Sequence, residues 1–520
     1  MIDTKALRQK ILDMAIRGKL VPQNPNDEPA SVLLARIRAE KQQLIKEGKI
    51  KKDKNDSVIF KGDDNRYYEN LPCGWKICGV SDITNLRTGA TFDKANVLLS
   101  SKNEGIRVLR GGNISTYKID FRVDDIFIPT AIVNPSIYVQ QYDIITPAVT
   151  SLENIGKMAR VHTKPTSNYT VGGFVYLLTP LFYNNTFSKF LLYQFTSTWF
   201  IRQLQAIAKK SGAAFYNINK TKFNELPVFI PPLAEQARIV NRVEELFTQI
   251  DAIEQNQADI DTLYDEFRKR TLTLAIQGKL VPQDSNDEPA SVLLERIRAE
   301  KKAKLGKKFV DSYIYKGDDN CYYEKVGETV TNISDEMPFD LPENWAWCRL
   351  KAICSYIHRG KSPTYGTEKI LPIIAQKCNQ WAGLQTQKCL FADRATIAKY
   401  TEEQYLCVGD IIINSTGTGT VGRTGYIDDT LFKEYPKFVA DSHVTVVRPL
   451  KCINSQYIYL FLKSPVIQTD IEAKCSGSTN QIELSTKTIQ SYLIPIPPAM
   501  EQYRIVSRFF SLQGKLKDED

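Results

Sequence analysis

The sequence predicts an α+β protein in which two β-rich domains are joined by long antiparallel coiled-coil helices, as a pseudo-two-fold, circular internal repeat. Three observations carry that expectation. Residues 18–41 and 278–301 match at 21 of 24 positions at an offset of 260, departing only at Asn24/Asp284, Pro25/Ser285 and Ala35/Glu295. Between the repeated blocks, residues 76–229 and 346–495 are rich in short β-branched and aromatic runs broken by Gly, Asn, Asp and Pro, the pattern of strands and turns. After Pro231 and Pro232, which cannot lie inside a helix, the apolar period changes to alternating steps of three and four.

Taken in order, residues 1–50 form a helical segment. Its opening, MIDTKALRQKILDMAIRGKL, mixes charge with apolar residues at helical spacing, with Leu7, Ile11 and Met14 on one seam, so it is no secretory signal. Residues 51–70 read as a linker, and the Lys-rich runs 46–54 and 301–308 as solvated junctions between helix and β-rich block. The first β-rich domain spans 71–232, with a helix near 189–209. The central helical region, 233–305, carries a seam of Val243, Leu246, Ile250, Ile253, Gln257, Ile260, Tyr264, Phe267, Thr271 and Leu274, apolar or aromatic at eight of ten positions. A helix over 235–276 would run about 63 Å at 1.5 Å per residue. Residues 306–340 read as a second linker, 341–498 as the second β-rich domain and 499–520 as a short distal helix.

Three further pairs extend the repeat: FKGDDNRYYE at 60–69 with YKGDDNCYYE at 315–324, LPCGW at 71–75 with LPENW at 341–345, and IPPLAEQARIV at 230–240 with IPPAMEQYRIV at 496–506. By these offsets Met1 corresponds to Asp261 and Asp520 to Glu254. The second copy of the long helix is then split, its first half ending the chain and its second half beginning it. QGKL at 513–516 also echoes QGKL at 277–280, which leaves open a distal helix that is a shortened copy. A frame held constant while its two inserts diverge implies that the frame assembles something and each insert recognises something different.

The apolar share of 42% and charged share of 24% exclude disordered and low-complexity classes. No window approaches 18 consecutive apolar residues, so no membrane span is expected. Ten Cys without a CxxC pair, beside three His, fit a reduced cytoplasm and no structural zinc. GTGTVG at 417–422 matches the dinucleotide motif, but RTGYIDD follows where a helix is needed. IPPL and IPPA lack the Asp, Asn or Ser and the aromatic that flank the prolines in adenine methyltransferases. Without a GxxxxGK[ST], HExxH or GxSxG motif, the chain is expected to be noncatalytic on its own and to hold neither metal nor cofactor.

A net charge of +9 makes nucleic acid the leading partner. Candidate DNA-contacting residues in the first domain are Arg87, Thr88, Arg107, Arg110, Asn113, Lys157, Lys209, Lys210, Asn217 and Lys220. In the second they are Arg359, Lys361, Gln376, Lys377, Thr418, Arg423, Ser478, Asn480 and Gln481. Lys neutralises phosphate as a point charge, while Asn and Gln pair bidentately with adenine in the major groove.

On IPPLAEQ followed by a long seam, on GDIIINSTGTGTVGR in the second domain and on the two-copy organisation of the whole chain, the sequence resembles the specificity (S) subunits of type I restriction-modification systems. The resemblance implies a DNA reader with two target-recognition domains, each taking one half of a bipartite site. It further implies helices that fix the gap and dock methyltransferase (M) subunits, with restriction (R) subunits joining them. S-adenosylmethionine, ATP and Mg2+ are then expected in those partners. The alternative is a two-headed scaffold binding proteins or glycans, which would lack the linear log-log salt dependence of phosphate-driven binding.

Overall fold

The computed structural model describes residues 2–50, 71–98, 105–165, 168–212, 214–469, 471, 473–476 and 482–517. The predicted linker 51–70 and the candidates Ser478, Asn480 and Gln481 therefore lie outside the described residues. The chain divides into two units, Met1–Ala258 and Asp259–Asp520. The central helix Leu233–Ile276 gives its first part to unit 1 and its last part to unit 2.

Unit 1 begins with the leading helix Thr4–Ile16, whose N-terminus is capped by Asp3 accepting from the Ala6 amide at 2.9 Å. The helix stops just before Gly18 (φ +63°), where a Cβ would lie 2.5 Å from Pro72 and 3.3 Å from Trp75, so only glycine fits. Its buried face is Ile11, Leu12, Ala15 and Ile16, while Met14 is 38% exposed. The seam predicted through Leu7, Ile11 and Met14 is thus rotated toward Leu12. The cause is packing on two fronts: Arg8 reaches Asp251 and Glu254 of the central helix, and Gln9 and Asp13 bond Thr196, Thr198 and Trp199 of the first β-rich domain. Gln257 donates to the Ile2 carbonyl at 3.5 Å, so the leading and central helices run antiparallel here.

The repeated sequence blocks fold into one brace, built twice. In unit 1 the Trp75 indole donates to the Glu235 carboxylate at 2.9 Å, Arg238 pairs with Asp27, and Gln236 donates to the Pro231 carbonyl. In unit 2 Trp345 donates to Glu501 at 3.1 Å, Arg504 pairs with Asp287, and Gln502 donates to the Pro497 carbonyl. Ala30, Leu33 and Ile37 of the short helix Ala30–Lys46 enter one core, and Ala290, Leu293 and Ile297 of Ala290–Leu305 enter the other. The closing helix Ala499–Lys517 buries Ile505, Val506 and Phe509 with Leu272, Ala275 and Ile276 of the central helix.

Coiled-coil pairing along the whole central helix is not shown among the described residues. Val243 and Ile250 are buried, Leu246, Ile253 and Gln257 half-buried, and Ile260 and Phe267 exposed. Fully buried positions stop at Ile250 and resume at Thr271, where the helix enters the second core. A coiled-coil stripe needs a second helix along its whole length.

Each β-rich domain hangs from a two-stranded neck. Lys76–Gly79 pairs antiparallel with Pro227–Ile230, and Ala346–Arg349 with Leu493–Ile496. Above the neck is a four-stranded antiparallel sheet in the same order both times: Thr84–Thr88, Val175–Pro180, Ile144–Pro147, Ala159–Arg160 in unit 1, and Cys354–Arg359, Val444–Pro449, Ile411–Asn414, Thr424–Tyr426 in unit 2. The helix read at 189–209 is two helices, Asn185–Phe195 and Thr198–Ile207, after which the chain enters a strand.

Residues 306–340 are corrected from linker to a three-stranded antiparallel meander, Ser312–Lys316, Tyr322–Val326 and Thr329–Asn332. Aromatics hold it: Tyr315 stacks on Tyr323 with ring centroids 5.7 Å apart, and Arg298 lies 4.3 Å over Tyr313. Among the described residues no helix is long and apolar enough to cross a membrane.

Candidate nucleic-acid interface

In unit 1 the strand Ile144–Pro147 runs on into the short strand Val149–Thr150, which pairs with one arm of a hairpin, Ala208–Ser211 and Phe215–Ile218. The register sets Lys209 opposite Asn217 and Ser211 opposite Phe215. Side chains alternate across a strand, and directly opposed residues share a face. Ile218 is buried and Tyr216 half-buried, so Lys209, Ser211, Phe215 and Asn217 form the outward face, all exposed. Lys210 is exposed but stands opposite Tyr216 on the other face. The Tyr176 hydroxyl anchors the ribbon by donating to the Ile218 carbonyl at 2.7 Å. Lys220 is exposed at the start of the helix Lys220–Glu225, capped by Asn219.

The other candidates in unit 1 differ in how far their side chains are tied into the fold. Asn113 is 1% exposed: its side-chain oxygen accepts from the Arg110 amide, and its amide donates to Asp120 and Asp125. Arg87 is half-buried and donates to the Ser136 carbonyl and the Thr179 hydroxyl, which in turn donates to Asp143. Burial pushes the Asp143 carboxyl up to about 6 and lowers Arg87, although each charge favours the other. Lys157 is half-buried, its carbonyl accepting from Thr146, and Thr88 is exposed opposite Tyr176. Arg110 reaches the Asp124 carbonyl. Arg107 lies over the rings of Phe121 and Phe127, 3.7 Å from Asp125, and with Lys118, Arg160, His162 and Lys164 lines an open cavity of about 460 Å³. Burial, followed by the Arg160 charge, lowers the His162 pKa.

In unit 2 the glycine-rich run is a turn between the paired strands Ile411–Asn414 and Thr424–Tyr426, so no helix follows it. Gly417 and Gly419 take φ of +93° and +72°. Thr416 donates to Gln376 at 3.3 Å, with His443 Nδ1 2.9 Å from the same hydroxyl. Arg423 donates to the Gly419 carbonyl and to Gln380. Lys377 and Thr418 are exposed; Lys361, also exposed, donates to the Lys399 carbonyl at 2.8 Å. Arg359 is tied to Glu483 at 3.0 Å and to the Leu484 carbonyl.

The two turns occupy equivalent places. Ala148 donates its amide to the Phe174 carbonyl at 2.8 Å, and Ser415 does the same to His443. The next residue opposes the incoming strand each time, Val149 against Asn217 and Thr416 against Glu483. Phe174, Val149 and Asn217 in one unit thus stand where His443, Thr416 and Glu483 stand in the other. Phe174, Phe215 and His443 stand outside the candidates that the sequence offers. Only Phe215 left a signal, sitting two residues from Asn217 in a strand-like run beside Gly212.

Comparisons with known proteins agree with this doubling. Residues 72–262 and 342–519 match the family model described as the type I restriction modification DNA specificity domain. The chain is 28% identical to the type I restriction enzyme EcoEI specificity subunit of Escherichia coli, over 99% of this chain and 90% of that protein. It is 29% identical to the EcoAI specificity subunit of Escherichia coli, over 98% of this chain and 88% of that protein. A chain from a solved structure concerned with complex assembly and conformational transition of the type I R-M system shares the fold, with a TM-score of 0.53 at 17% identity, covering 86% of this chain and 92% of that one.

Proposed function

The chain belongs to the type I restriction modification DNA specificity family, and from that premise we propose that it reads a bipartite DNA site, one half with each unit. The observation that carries this reading is the contrast between a repeated brace and a changed turn. Trp–Glu, Arg–Asp and Gln–carbonyl contacts recur in both units, while the side chains at the equivalent exposed turns differ in chemistry. Two different readers on one repeated support suit an asymmetric site, and half-site spacing follows protein geometry. The central helix, continuous from Leu233 to Ile276, sets that spacing.

Methyltransferase subunits dock on the repeated surface. Val32 and Val292 are 39% and 42% exposed at equivalent positions, with Arg36–Glu28 and Arg296–Glu288 pairs beside them. Packing alone does not demand identical exposed residues in both copies; the same partner bound twice does. In this reading the chain is noncatalytic, restriction subunits join the assembly, and S-adenosylmethionine, ATP and Mg2+ are bound by partners.

Methylome sequencing of a host carrying this chain with its methyltransferase subunit tests the proposal. Two unlike half-sites with a fixed gap are expected. Exchange of residues 76–229 for another insert should alter one half-site only, and alteration of both would overturn the independent-reader arrangement.

A further inference from the structure

The outward face of the unit 1 ribbon carries four side chains whose order is chemically specific. Lys209 and Asn217 stand opposite one another, and one step nearer the tip on the same face stand Ser211 and Phe215. Phe215 is 55% exposed, and none of Lys209, Ser211 or Asn217 has a side-chain hydrogen bond or ion pair among the described residues. Near the tip, Gly212 takes φ +77°, and a Cβ there would meet nothing within 4 Å. An exposed phenylalanine on the same face as Lys209, at the end of a hairpin that is two-stranded beyond Tyr216 and joined at its base by the short strand Val149–Thr150, has the shape and charge to enter the major groove, which admits a two-stranded ribbon. Lysines suit phosphates, and an aromatic edge suits the thymine methyl, the one apolar group on the major-groove edge.

We propose that Phe215 is a specificity-determining residue of unit 1 that packs against a thymine 5-methyl group, while Asn217 pairs with an adenine two base steps away. The spacing is fixed by the strand: residues two apart lie about 7 Å apart, and successive bases on one strand are about 3.4 Å apart. Lys209, on the same face as Phe215 and Asn217, takes a flanking phosphate. In unit 2 the residue at the place of Asn217 is Glu483, which pairs with Arg359, so this apolar and amide code belongs to unit 1 alone. The inference rests on the DNA-reading function proposed above.

The test uses the chain purified with its methyltransferase subunits and duplexes carrying the site that the complex methylates in cells. Each thymine of the unit 1 half-site is replaced in turn by deoxyuridine, which removes only the methyl group. One replacement should weaken binding about fourfold, the equivalent of one buried carbon. Phe215→Ala should weaken binding to the unmodified site by at least as much and make that same replacement silent, whereas Phe215→Leu should keep part of the effect. Unchanged thermal unfolding is expected for both variants, because the side chain is exposed. Deoxyuridine effects that are the same in wild type and Phe215→Ala, a half-site without thymine, or a Phe215→Ala complex that loses methyltransferase subunits with DNA binding intact would each overturn the proposal. A wild-type complex that does not prefer its half-site to a scrambled one would instead overturn the DNA-reading function itself.

Discussion

Both units bury an aspartate at the start of the same sheet strand, and they neutralise it differently. In unit 2 Asp410, fully buried, receives both arms of Arg448, Nε and a terminal nitrogen each at 2.7 Å. In unit 1 Asp143, equally buried, accepts from the Thr179 hydroxyl and the Gln140 amide, and the nearest cation, Arg87, touches Thr179 rather than the carboxylate. Arg448 and Thr179 occupy the same strand position, each next to the proline that ends it. A bidentate pair compensates desolvation directly, whereas a relay through a hydroxyl leaves the carboxyl pushed up to about 6. The lesson is that the scaffold preserves the buried acceptor, because its oxygens tie down the Gln140 and Cys407 amides, while each domain supplies its own counter-charge.

The largest expected effect tests that contrast. Arg448→Ala strands a buried carboxylate and should cost unit 2 about 3–5 kcal/mol. Arg87→Ala should cost unit 1 clearly less, because Asp143 keeps both its donors. Hydrogen exchange read separately over the two sheets checks this, and equal losses would erase the distinction.

Next comes pH. The Asp143 carboxyl titrates higher folded than unfolded, so the native state holds the extra proton between about pH 4 and 6, and stability falls as pH rises through that window. The difference amounts to on the order of 2–3 kcal/mol. Asp143→Asn should flatten that slope in urea titrations from pH 4 to 7; a slope retained in the variant would assign it elsewhere.

Smaller, and a sharper probe of the brace, is removal of its indole donor. Glu501 also accepts from Gln283 at 2.6 Å, whereas Glu235 has Trp75 as its side-chain donor and one oxygen without a partner. Trp75→Phe should therefore cost about 1–3 kcal/mol and more than Trp345→Phe. Thermal unfolding of the two variants gives the order directly. Smallest in energy is Lys209→Ala, which should lower the slope of log affinity against log salt by about one and leave stability unchanged.

The repeat, the long helix and the β-rich domains were legible because each leaves a period or a copied block in the sequence. The brace was legible as copied blocks but not as chemistry, since nothing local joins Trp75 to Glu235 across 160 residues. Donor-rich stretches were the least informative. Arg87, Asn113 and Arg359 have the composition of a binding surface, yet their partners lie within the chain, and partnering is a tertiary property. The meander at 312–332 was missed because charged and glycine residues mask its alternating tyrosines.

The two-stranded neck has a topological consequence. Lys76 lies opposite Ile230 and Ala346 opposite Ile496, so each domain leaves the frame and returns to it at adjacent backbone positions. A chain segment whose two ends sit side by side can be lengthened, shortened or exchanged without moving what it is attached to. Genetic crossovers that fall in the copied blocks flanking the necks would join any such segment to an unaltered socket, and the protein's vocabulary can change while its grammar stays fixed.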